Sequence, residues 1–85
     1  MKILLVEDDT KISSIIKMGL EDNDCMVDVA YDSAQGERLI MNKKYDVILL
    51  DVMLPGISGF ELCRKMRNNK IKTPILMLTD RKSVV

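Results

Sequence analysis

The segment Val47-Ile48-Leu49-Leu50 is apolar at every position and stops at a carboxylate, Asp51, before a turn spelled Val52-Met53-Leu54-Pro55-Gly56. A strand with one wet face alternates apolar and polar residues, so an unbroken apolar run demands cover on both faces. A parallel sheet held between helices supplies that cover. Asp51 then stands at the carboxyl end of a buried strand, on the side where open parallel sheets bind ligands.

Three more strands can be read. Lys2-Ile3-Leu4-Leu5-Val6 is a run of the same kind and also ends in acids, Glu7-Asp8-Asp9. Pro74-Ile75-Leu76-Met77-Leu78-Thr79 finishes in a hydroxyl. Met26-Val27-Asp28-Val29-Ala30 is shorter and less apolar, which puts it near a sheet edge with Asp28 partly exposed.

Helical patterns fill the intervals. Asp9 or Thr10 can cap a first helix whose apolar positions are Ile12, Ile15, Ile16, Met18 and Leu20, mildly interrupted by Ser13 and Gly19 and broken at Asn23-Asp24. The start Asp32-Ser33-Ala34-Gln35 has the spacing of a capping box and opens a helix to about Asn42. Ser58 and Glu61 repeat that spacing, and Leu62, Cys63 and Met66 share one face of a third helix ending near Asn68-Asn69. The order β-α-β-α-β-α-β predicts an α/β fold, a doubly wound parallel sheet with right-handed crossovers and helices on both faces.

If the strands ending in Glu7 and Asp51 are adjacent, at least three carboxylates meet at one rim. Charges about 4 Å apart repel by roughly 4 kcal/mol per pair at an effective dielectric near 20, so the cluster calls for a cation. A small set of hard oxygen ligands suits Mg²⁺, and the chain has no His to serve a zinc site.

Composition narrows the function further. Eighty-five residues make at most one domain, and 13 basic against 13 acidic residues leave no excess for a nucleic-acid surface. Phe60, Tyr31 and Tyr45 are the only aromatics, too few for base stacking. Cys25 and Cys63 have no metal or redox spacing and read as two small buried side chains in a reducing cytoplasm. Apolar runs of about five residues fall far short of the ~20 that span a bilayer, and Met1-Lys2 leads straight into a strand, so no membrane association is expected.

The acids after the first strand, the turn Asp51-Val52-Met53-Leu54-Pro55-Gly56, Gly59 at the next helix start and Thr79 closing the fourth strand together resemble the receiver domain of bacterial two-component response regulators. The spelling around Asp51 and Gly59 is most similar to receivers of the OmpR/PhoB type, which precede a winged-helix DNA-binding domain. The resemblance covers nearly the whole chain and implies a flavodoxin-like sheet of order 2-1-3-4. It makes Asp51 the phosphoacceptor and Thr79 the switch hydroxyl. Glu7 and Asp8 become, with Asp51, the ligands of Mg²⁺, and Met53 adds its backbone carbonyl. Asp9 is assigned to helix capping instead. A histidine kinase is implied as phosphoryl donor, and the implied output is a change in partner or output-domain contacts, with DNA bound only through a domain these residues do not include.

Against that family the reading is a receiver domain over residues 1–85, truncated after the fourth strand, with the fifth strand, its phosphate-contacting Lys and the last two helices missing. Lys82 is not assumed to replace that Lys, and Asp80 adds a carboxylate where the family carries a small residue. Impaired phosphorylation and a homodimer or swapped assembly through the fourth strand are the expectations. The domain is expected to be a phosphoacceptor and not an enzyme. Two other readings stand beside it. One is a structural dimerisation module that takes no phosphate. The other is a Mg²⁺-dependent phosphohydrolase with an Asp nucleophile, disfavoured because Met53 occupies the position of its general acid.

Overall fold

A computed structural model describes residues 1–78. The chain runs β1 (Lys2–Val6), α1 (Thr10–Glu21), β2 (Met26–Ala30), α2 (Ser33–Asn42), β3 (Val47–Asp51), α3 (Gly59–Asn68) and β4 (Ile75–Leu78). The four strands form one parallel sheet in the order β2-β1-β3-β4. This is the expected doubly wound arrangement, with β2 at one edge as its composition implied.

Alternate residues of the central strands feed two cores. Leu4, Val6, Ile48 and Leu50 point to one face and pack with Ile40 of α2 and with Leu62 and Met66 of α3. Ile3 and Leu5 point to the other, where Val27 and the half-buried Ile16 and Leu20 of α1 cover them. Leu62 and Met66 are fully buried, and each such side chain contributes about 1.5–3 kcal/mol through the surface it removes from water.

Each helix starts where its side chains satisfy the free amides of the first turn. Asp9, not Thr10, caps α1 by accepting from the Lys11 and Ile12 amides at 2.9 and 3.1 Å. Asp32 caps α2, accepting from the Gln35 amide at 2.8 Å, while the Gln35 side chain reaches back to the Tyr31 amide at 3.1 Å, one residue beyond the usual box partner. Ser58 caps α3 through the Glu61 amide, but the Glu61 carboxylate turns forward to Arg64 at 2.9 Å instead of closing a box.

The first helix departs from its expected face. Ile15 and Met18 are 72% and 64% exposed, whereas Ser13 is buried. At 100° per residue Ile12, Ile16 and Leu20 form a stripe in steps of four, and Ser13 falls beside it while Ile15 and Met18 fall outside. The Ser13 hydroxyl tolerates burial by donating to the Thr10 carbonyl at 3.1 Å. Cys25 and Cys63 are free and only half-buried, because each lies at the margin of its core. Asp28 is partly exposed as expected, and it accepts from the Tyr45 hydroxyl at 2.7 Å and Lys43 at 3.3 Å. The Thr79 end of the fourth strand, with Asp80 and Lys82, lies outside the described residues.

Candidate functional site

Strand register brings the acids together. Val6 pairs with Leu50 across the parallel β1–β3 ladder, so the next residues, Glu7 and Asp51, stand side by side at the carboxyl ends of the two strands. The strand order reverses between β1 and β3, one chain direction leading to β2 and the other to β4, and crevices of open α/β sheets open at such a switch point. Carboxylate oxygens of Glu7, Asp8 and Asp51 lie within 4.8 Å of one another.

The three acids differ in exposure. Glu7 and Asp51 are 7% and 8% exposed, and Asp8 faces solvent. Glu7 Oε2 accepts from the Asp9 amide at 3.1 Å, and the Glu7 amide itself donates to the Ala30 carbonyl at 2.9 Å. The Glu7 carboxyl is pushed up from 4.5 to about 7. Burial is the largest cause; the Asp9 amide opposes it, while the Asp51 charge and hydrogen bonds shared with Asp8 and Asp51 act in the same upward direction.

Past Asp51 the chain turns back on itself. The Met53 amide donates to Asp51 Oδ1 at 3.1 Å, while the Met53 side chain is exposed. The Gly59 amide donates to the Val52 carbonyl at 2.9 Å, and a Cβ at Gly59 would collide with the Asp51 carbonyl. Only glycine therefore lets the first turn of α3 sit directly on the end of β3. Asp8 and the loop residues Val52 to Gly56, with Ser58, line an open groove of about 450 Å³ beside the cluster.

Glu7, Asp8 and Asp51 are thus brought to one place with the Met53 amide on Asp51, and the Asp9 side chain is engaged as a cap. Ser33, absent from the expected site, also reaches this loop: its side chain joins α2 to Pro55 and Ile57. Nothing in the local spelling marks it, since a serine at a helix start reads only as part of a cap and its partners stand 22 and 24 positions away.

A sheet of this order, with an acidic pocket at the switch point and a glycine-dependent turn after the central strand, defines the class of the chain. Residues 3–85 match the response regulator receiver domain family, and the chain belongs to it. It is 44% identical over 78 residues to the response regulator ArlR of Staphylococcus saprophyticus, an alignment covering 92% of this chain and 35% of that protein. Its relatives are OmpR-type regulators, as the spelling around Asp51 implied. Among solved structures it superposes on the Francisella response regulator 1452 receiver domain with a TM-score of 0.91 and 36% identity, covering 98% of this chain and 69% of that one. It also superposes on the Thermotoga maritima response regulator TrrA in complex with Mg²⁺-BeF, with a TM-score of 0.88 and 29% identity over 98% of this chain and 76% of that one. The chain spans about a third of the length of the curated relatives it matches. No helix among the described residues is long and apolar enough to cross a membrane.

Proposed function

We propose that this receiver domain, acting in the cytoplasm, accepts a phosphoryl group on Asp51 from a phosphohistidine of a histidine kinase, in a Mg²⁺-dependent transfer. The observation that carries the reading is the convergence of three carboxylates within 4.8 Å, one of them buried enough to hold a proton near neutrality. Such a donor set fits a hard divalent cation, which would offset the burial and, with it, the Asp51 charge that push the Glu7 carboxyl upward. Glu7, Asp8, Asp51 and the Met53 carbonyl would hold it. Bound there, Mg²⁺ supplies neutralisation of the phosphoryl oxygens.

The chain's own residues then have distinct tasks. Glu7 gives up its proton to enter the ligand set. An Asp51 carboxylate oxygen attacks phosphorus in line; the new O–P bond forms as the donor's N–P bond breaks, and the electron pair stays on the imidazole nitrogen, which takes up a proton. The Met53 amide already donates to Asp51 Oδ1, orienting the carboxylate so that its other oxygen is the nucleophile. The acyl phosphate adds charge and acceptor oxygens at the rim, and Thr79 is proposed to move toward them as the switch hydroxyl, altering the surface offered to an output domain that binds DNA.

A second copy is proposed as a partner along β4, which is the edge of the described sheet and exposes Leu76 by 58%. The test of the phosphoacceptor reading is intact-mass measurement after incubation with acetyl phosphate and Mg²⁺. Partial addition of one phosphoryl group to the wild-type chain, in keeping with the impaired transfer expected from its sequence, and none to Asp51→Asn is the expected result. An unmodified wild type would leave a structural dimerisation module as the better description, and equal labelling of both chains would move the acceptor elsewhere.

A further inference from the structure

Helix α2 lies on one face of the sheet, and none of the acids belongs to it, yet its first residue is locked to the loop that follows Asp51. The Ser33 hydroxyl donates to the Pro55 carbonyl at 3.1 Å and accepts from the Ile57 amide at 3.1 Å, and the Ser33 amide adds a longer bond to the same carbonyl at 3.4 Å. Ser33 is 5% exposed, so these bonds are sheltered from competing water. Between the two loop partners sits Gly56 at φ +91°, a conformation that costs little only for glycine, and a Cβ there would strike the Ser33 hydroxyl oxygen. A side chain at position 56 and the Ser33 hydroxyl would therefore compete for the same space.

The loop between Asp51 and α3 is fixed at three places. Met53 is tied to Asp51 at its start, Gly59 is tied to the Val52 carbonyl at its end, and Ser33 holds its middle. The first of these ties comes from the strand that carries the acceptor, and the second joins α3 to the loop residue that directly follows it. The third comes from a separate element and is the one that decides where Pro55 to Ile57 sit relative to the sheet.

We propose that Ser33 is a positioning residue for the acidic site: by clamping Pro55 and Ile57 it holds the 52–57 loop so that the Met53 backbone faces the Glu7, Asp8 and Asp51 carboxylates. The proposal rests on the reading of those groups as a Mg²⁺ site. Partners of this outer kind, which touch a ligand's support instead of the ion, commonly change metal affinity by about 10–100-fold when removed.

The test is an NMR titration of the chain with Mg²⁺ alone, paired with amide hydrogen exchange of Ile57 before any metal is added. Ser33→Ala is expected to weaken Mg²⁺ binding about tenfold and to speed Ile57 exchange by a similar factor. Gly56→Ala, which displaces the hydroxyl from the loop side, should weaken binding in the same direction. Ile40→Val, a core change on the same helix away from the loop, lowers general stability and should leave Mg²⁺ affinity unchanged. Wild-type affinity in both Ser33→Ala and Gly56→Ala would overturn the role of Ser33 while leaving the metal site standing. Equal weakening in Ile40→Val would overturn it as well, by tracing the effect to overall stability. A wild-type chain with no response to millimolar Mg²⁺ would bring down the metal-site reading itself.

Discussion

Replacing Glu7 by Gln should stabilise the metal-free protein. In the wild type, the Glu7 carboxyl titrates near 7 in the folded chain against 4.5 for the unperturbed group, a difference on the order of 3 kcal/mol between its two protonation states. Because the folded value is the higher one, the folded state binds the proton more tightly, and the wild type loses stability as pH rises from about 4.5 through about 7. Above that range the full cost of burying a charge beside Asp51 is present. Gln has the same shape, keeps an oxygen to accept from the Asp9 amide at 3.1 Å, and carries no charge at any pH. Part of the benefit is lost in burying the amide, so Glu7→Gln is expected to gain about 2 kcal/mol at pH 8, roughly 8–16 °C in melting temperature for a chain of this size. The gain should shrink below about 1 kcal/mol by pH 5, where wild-type Glu7 is protonated when folded. Urea unfolding followed by circular dichroism, with EDTA present, at pH 5, 6, 7 and 8 gives the measurement. Equal or lower stability of Glu7→Gln at pH 8, or a difference that stays constant across the series, would refute the account of Glu7 as a buried acid held against its neighbours.

Mg²⁺ binding should release close to one proton at pH 6 and almost none at pH 8.5, with apparent affinity falling by about tenfold per pH unit below 7; calorimetry in buffers of different ionisation enthalpy reads the proton count directly. Gly59→Ala should cost about 1–3 kcal/mol in urea unfolding, because the added methyl group meets the Asp51 carbonyl and must push α3 off the strand end. Leu76→Lys is expected to shift sedimentation toward monomer by placing a charge on the open β4 edge, and a well-folded wild-type monomer at micromolar concentration would dispose of pairing through that edge.

Much of this protein follows from local spelling. The unbroken runs at Ile3–Val6 and Val47–Leu50 require cover on both faces, and that requirement alone leads to helices on two sides of a parallel sheet. Asp9, Asp32 and Ser58 announce their helices because a cap satisfies amides two or three residues away, a distance sequence can measure. The candidate acids were legible for a similar reason: Glu7 and Asp51 directly follow apolar runs, with Asp8 next to Glu7, and parallel strands place their carboxyl ends together.

What sequence left open depends on residues far apart along the chain. The apolar content of α1 was evident, but only contact with the sheet decided that Ile16 and Leu20 turn inward while Ile15 and Met18 face water. That Glu7, and not the neighbouring Asp8, is the buried member of the acid pair depends on the direction each side chain takes as β1 ends beside Asp51. The Ser33 clamp has no local signature, since a hydroxyl can bond the Pro55 carbonyl and the Ile57 amide only after α2 and the β3–α3 loop have packed. Periodicity and capping are short-range properties of a chain. Burial and proton affinity belong to the space that distant segments enclose, and that space exists only in the folded molecule.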